Sequence, residues 1–128
     1  MKRIIALLIL CAVMLCGCQK GKPKDLPQEV YDIAASIVPE IERAIDNEAS
    51  VSGAMEKVNS AFDKISDIYN GLDDLQAQLK TLPVINDLAG INVSLVNLNN
   101  AWLINTNIET ATKELKLKLK DLKKDLGM

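Results

Sequence analysis

The chain has 128 residues, nearly half of them apolar, a formal net charge of −2 and no histidine, which removes the commonest acid–base group and metal ligand. Only Tyr31, Phe62, Tyr69 and Trp102 are aromatic, so aliphatic side chains must fill whatever core forms. The near-neutral total hides a charge asymmetry. Lys20, Lys22 and Lys24 form a basic neck, fourteen carboxylates face Arg43, Lys57, Lys64 and Lys80 between Asp25 and Thr110, and six lysines face Glu114, Asp121 and Asp125 beyond that.

Lys2 and Arg3 precede twelve apolar residues, Ile4 to Leu15. A run of about 7–15 after a basic start reads as a secretory signal segment, and it falls short of the roughly 20 residues a spanning helix needs. The run closes on Leu15-Cys16-Gly17-Cys18. This tetrapeptide resembles the lipobox of bacterial membrane lipoproteins, in which an aliphatic, a variable and a small residue precede an invariant cysteine. Cys16 departs from the usual small or hydroxyl residue. The resemblance covers residues 1–18 and implies an address and an anchor rather than an activity. It implies that residues 1–17 are a signal peptide that is cut away. Cys18 then carries diacylglycerol and often a further acyl chain such as palmitate, which holds the body on the extracytoplasmic face of the cell membrane or on the outer membrane. Two or more chains give lasting attachment where one does not. With Cys11 and Cys16 removed and Cys18 acylated, no disulfide is left to form, and stability must come from apolar packing. An extracytoplasmic, net-acidic chain is not expected to bind nucleic acid.

Residues 18–26 read as the lipidated N-terminus and a basic tether, since Gly21 and Pro23 discourage regular structure. Residues 27–128 read as one helical domain with helices over about 27–48, 50–82 and 84–126. The first starts at Pro27, which suits a first helical turn. It carries the stripe Val30, Ile33, Ile37, Ile41, Ala44 and Ile45 in unbroken phase across Pro39, which predicts a kink rather than an end. The second begins at Ser50 or Ser52 and carries Val51, Met55, Val58, Phe62, Ile65, Tyr69, Leu72, Gln76 and Leu79 at alternating spacings of four and three, a heptad seam. Asn70-Gly71 is its expected kink and Pro83 its expected end.

The third helix carries Val84, Leu88, Ile91, Leu95 and Leu98, then Ala101, Asn105, Ile108, Thr112, Leu115, Leu119, Leu122 and Leu126, joined by two successive spacings of three. That join is a stammer. A competing strand reading rests on Ile91, Val93 and Leu95 alternating with Asn92 and Ser94. At 1.5 Å per residue the third helix would reach about 60 Å against about 45 Å for the second. Either it starts near Ser94 or its last turns project beyond the others. The expected fold is therefore all-α, an up-down-up three-helix bundle or a long antiparallel helical hairpin or coiled coil with a shorter, kinked first helix. In that arrangement the C-terminal tail points away from the anchored end, with Glu40, Glu42, Asp46 and Glu48 of the first helix lying nearest its lysines.

Chemistry-bearing patterns are few. Asp63, Asp67, Asn70 and Asp74 share a helical face, but a straight helix presents a row of oxygens rather than the wrapped set of six to eight that calcium takes. Asp73 and Asp74 point about 100° apart and do not converge on one substrate. No metal, cofactor or catalytic residue is assigned, and the chain is not expected to be an enzyme. Asn105 on the seam is a candidate register-fixing polar residue, and Trp102 a core filler. Lys113, Lys116, Lys120, Lys123 and Lys124 interleave with Leu115, Leu117, Leu119, Leu122 and Leu126, an amphipathic basic helix that forms the candidate contact surface. The expected function is that of a lipid-anchored structural or protein-binding module. It would pair with itself or with an envelope protein partner. The alternative is an amphiphile-binding helical protein that engages anionic membrane or cell-envelope polymer through the basic helix.

Overall fold

The computed structural model describes residues 21–128, so the expected signal segment, Cys18 and the start of the expected tether lie outside the described residues. The chain forms α1 (Gln28–Asp46), a short 3-10 turn (Glu48–Ser50), α2 (Val51–Asn70), α3 (Leu75–Ile104) and α4 (Ile108–Asp125), with no strand among the described residues. Each helix packs on its neighbours in sequence, and α4 returns to α1 across the sparsest of the four seams. The fold is all-α as expected, but the described residues form four helices in up-down-up-down order rather than three.

Two breaks differ from expectation. The first falls at Gly71–Asp74, not Pro83. Gly71 N–H bonds the carbonyls of Asp67 and Ile68. Asp74 then adopts an extended conformation, and its carboxylate accepts from Gln76 N and Ala77 N, each at 3.3 Å, satisfying two of the donors that every helix start leaves open. Pro83 sits in the third turn of α3. A proline there removes a backbone bond and costs about 3 kcal/mol or more. Continuity repays it: Ala77 and Thr81 before the proline join Val84, Leu88, Ile91, Leu95 and Leu98 after it on one buried face. Each large aliphatic side chain so buried contributes about 1.5–3 kcal/mol.

The second break, at residues 105–107, divides the expected third helix. Asn105 (φ 52°) and Asn107 (φ 59°) are both left-handed, a conformation asparagine tolerates better than any residue but glycine. Asn105 is therefore an exposed terminator of α3, not a buried register-fixing residue on a seam. Neither a late start near Ser94 nor a projecting tail is needed, because the extra reversal absorbs the length. The segment 91–95 lies inside α3, where Ile91, Ser94 and Leu95 are all buried, a pattern a two-faced strand cannot give.

The core is aliphatic throughout. The expected stripes hold their phase over Val30, Ile37, Ile41, Val51, Val58, Ile65, Leu115, Leu119, Leu122 and Leu126, all buried, but the second fails beyond Tyr69, where the chain turns, Leu72 is only partly covered, and Gln76 and Leu79 are exposed. On α1 and α2 the buried face extends to Ala34, Ala54 and Ala61, small residues that let helices approach, while Ile33, Ile45, Met55 and Phe62 are only partly covered. The serines expected to start α2 make no capping bond. Asn47 instead caps the 3-10 turn that leads into α2, its side chain accepting from Ala49 N at 3.0 Å.

Residues 21–26 are not a free spacer. Leu26 is fully buried, and Lys22 Nζ donates to the Leu26 carbonyl at 2.6 Å. Gly127 (φ 73°) lies so close to this segment that a methyl group added to it would strike the Gly21 carbonyl oxygen. The C-terminus thus packs against the end where the described chain begins. This overturns the tail that points away, for a simple reason: an even number of antiparallel helices brings the chain back to the end it left.

Candidate functional site

The lysines of the basic helix are dispersed by the fold. Lys113 pairs with Glu109 one turn earlier on α4, at 3.3 Å with both groups exposed. Lys123 reaches across the α1–α4 seam to Glu42 at 2.8 Å. Lys116 and Lys120 line the same furrow as Glu42, Ile45 and Asp46. Lys124 lies with Lys120 and Lys123 around Gly127 and Met128. The expectation that the acidic end of α1 faces the lysines is met at this seam, though the two helices run antiparallel rather than parallel. On the opposite side of α1, Lys57 of α2 bonds Glu40 at 2.9 Å; that bond, with Arg43 beside it, holds the Glu40 carboxyl below the usual range.

The acidic row does not converge. Asp63, Asp67 and Asn70 are exposed along α2, and Asp74 is committed to capping α3. Trp102 is half-buried against the core, in keeping with a filler role. A carboxyl cluster that the sequence did not point to forms across the α3–α4 seam. Asp87, half-buried, meets Asp125, with Asp121 and Lys118 nearby. Burial, a carboxyl–carboxyl hydrogen bond to Asp125 and the charges of Asp125 and Asp121 push Asp87 up to about 8, against a smaller opposing pull from Lys118. A proton retained on Asp87 relieves the repulsion between the two facing carboxyls.

The most extended feature is the outward face of α3. Leu75, Leu79, Leu82, Asn86, Ala89, Val93, Val96, Asn100 and Leu103 recur at spacings of four and three without a break, and every one is exposed. Leu75 is 62%, Val93 59% and Leu103 73% exposed, well above ordinary leakage at a core edge. In heptad terms Leu79, Asn86, Val93 and Asn100 occupy position a, and Leu75, Leu82, Ala89, Val96 and Leu103 position d. The only charges on this 30-residue helix, Lys80 and Asp87, both fall at position b. A second heptad of the same phase spacing, Thr81, Val84, Leu88, Ile91, Leu95 and Leu98, faces inward. The helix is thus apolar on two faces, where a surface helix of a bundle is apolar on one. No helix among the described residues is long and apolar enough to cross a membrane. The outward stripe was present in the sequence, but Leu79 was there assigned to the seam of a continuous second helix. Comparison of the chain with protein-family models, curated proteins and solved structures finds no match.

Proposed function

We propose that this is a lipid-anchored, extracytoplasmic helical protein that acts by contact, as a structural or protein-binding module of the cell envelope. The observation that carries the contact reading is the outward face of α3, uncharged along its whole length and aliphatic except at Asn86 and Asn100. Exposed apolar patches of more than a few hundred Å² are uncommon on proteins that work alone. The anchor rests on Leu15-Cys16-Gly17-Cys18. A Cys18→Ser variant should remain uncleaved and lose its acyl mass by intact-mass spectrometry, and normal processing of that variant sinks the anchor. Acylation also leaves a Val93→Cys variant with a single free thiol. In intact membranes that thiol should react with a water-soluble maleimide at least about tenfold more slowly than one introduced at exposed Glu56. Equal rates would mean that nothing covers the face.

One observation favours a second reading, contact with an anionic surface. Although the other lysines are dispersed, Lys120, Lys123 and Lys124 lie with Asp121 around Gly127 and Met128, and Gly127 meets Gly21 and Pro23 at the end from which the tether leaves. Each basic residue near an anionic bilayer contributes about 1 kcal/mol. The acylated full chain, labelled at a Lys124→Cys position with an environment-sensitive fluorophore, should shift to the blue in vesicles containing phosphatidylglycerol and revert in 0.5 M salt. The same spectrum in neutral phosphatidylcholine vesicles would exclude this mode.

A further inference from the structure

We propose that the partner of the α3 face is a second copy of this chain, joined in parallel and in register about a two-fold axis along α3. The proposal rests on the contact reading above and names its occupant.

Three observations select a second copy. The face is self-complementary in chemistry: it bears no charge to match a charge elsewhere, and aliphatic layers pair with themselves as well as with anything else. Its polar residues also follow the rule for parallel pairing, in which asparagine at position a fixes register and orientation. Asn86 and Asn100 stand at position a on either side of β-branched Val93, each one heptad away, with Leu79 at the remaining a position, and leucine fills three of the five d positions, Leu75, Leu82 and Leu103, beside Ala89 and Val96. Pairing in parallel sets Asn86 against Asn86 and Asn100 against Asn100, so that each carboxamide meets another able both to donate and to accept. Antiparallel pairing sets position a against position d, which puts each of these amides against an aliphatic or alanine side chain and leaves it unsatisfied. That costs about 1–3 kcal/mol per group. The area is the third observation. The exposed parts of the seven aliphatic side chains Leu75, Leu79, Leu82, Val93, Val96, Leu103 and Ile104 amount to on the order of 600 Å² per copy, close to the roughly 800 Å² per partner of a stable interface once flanking groups are added.

The anchor is consistent with this geometry. Cys18 to Lys20 is three residues of chain, about 10 Å of reach, and a parallel pair brings both tethers out at the same end.

The test is disulfide trapping of the acylated full chain in its own membrane. Val93→Cys and Val96→Cys, oxidised with copper phenanthroline, should each give a species of twice the mass on a non-reducing gel, while Leu117→Cys, equally exposed on α4, should give less than about a tenth as much. Adding Val93→Glu to Val96→Cys places two carboxylates in one layer and should lower the trapped dimer at least about tenfold, with the helical circular dichroism unchanged. Equal trapping at Leu117→Cys would indicate random collision and overturn the proposal. So would trapping only between Leu82→Cys and Val93→Cys copies, which means opposite orientation. Protection of Val93→Cys from maleimide without a dimer would overturn self-pairing and leave the contact reading standing, with another protein on the face. A dimer in the unmodified chain would instead reveal a free Cys18 and the failure of the anchor.

Discussion

Leu95→Ala should destabilise the bundle by about 2–5 kcal/mol and lower Tm by at least about 10 °C, measured by thermal and denaturant unfolding followed by circular dichroism. Leu95 is fully buried at the middle of the inward face of α3, between Ile91 and Leu98. Its removal leaves a cavity lined by aliphatic side chains, which cannot fold inward to fill it because their own backbones are held in helices. With stabilities of about 5–15 kcal/mol typical of single domains, such a loss takes a large share of the total. The matched control is Leu117→Ala on α4. Leu117 is 63% exposed, and its truncation should stay within about 0.5 kcal/mol. Equal losses at the two positions would mean that Leu95 does not sit in a packed core. The absence of disulfides among the described residues gives the comparison its force, since no covalent staple masks the loss of packing.

Asp87→Asn should remove most of the pH dependence of stability between about pH 4 and pH 9 and raise Tm above that of the parent chain at the alkaline end. The sign follows from the direction of the shift. Asp87 is pushed up to about 8 in the fold from 3.8 when free, so the folded chain holds a proton that the unfolded chain releases. Its contribution is fully present below about pH 4 and is lost as pH rises through about 8. Above that, two carboxylates confront each other across the α3–α4 seam with Asp121 beside them and only Lys118 in opposition. Asparagine imitates the protonated form, donates to Asp125 at every pH and carries no charge. Discounted for the solvent that reaches a half-buried pair, the gain near pH 9 is on the order of 1 kcal/mol, a rise of about 4–8 °C in Tm for a domain of this size. Near pH 4 the two chains should melt together. A parallel pH profile for both would show that Asp87 titrates as an ordinary carboxyl.

Asp87 also illustrates what the sequence withholds. Read along the chain, it is a lone charge at position b of an apolar helix. Its partners lie about 35 residues away on α4 and meet it only because the chain reverses at 105–107. The lysines were legible individually, but their assignments were not. Lys123 pairs with Glu42 across a seam that closes only when the fourth helix returns to the first. The breaks were misread for a related reason. Asn70-Gly71 and Asp73-Asp74 carried the local signals of an end and a new start, yet Leu72, Gln76 and Leu79 continued the heptad phase across them, and phase argued for one helix. Two helices joined by a short turn can keep phase by coincidence of length. Pro83 carried the opposite signal and was overruled by burial on both sides of it.

What the sequence determined by itself is the all-α class, the phase of the buried stripes on α1, on α2 as far as Ile65, on α3 from Val84 to Leu98 and on α4 from Leu115, and the reliance on aliphatic packing. These follow from spacing and composition, which act within one or two turns and need no partner to be read. What only the tertiary structure decided is where the helices stop, which end the C-terminus returns to, and which apolar face of α3 is spent on the core. A helix with two apolar faces does not say which of them its own chain will cover. The α2 and α4 helices cover the one that runs from Thr81 to Leu98, because the turns at Gly71–Asp74 and Asn105–Asn107 bring them there, and the face from Leu75 to Leu103 is left to whatever lies outside.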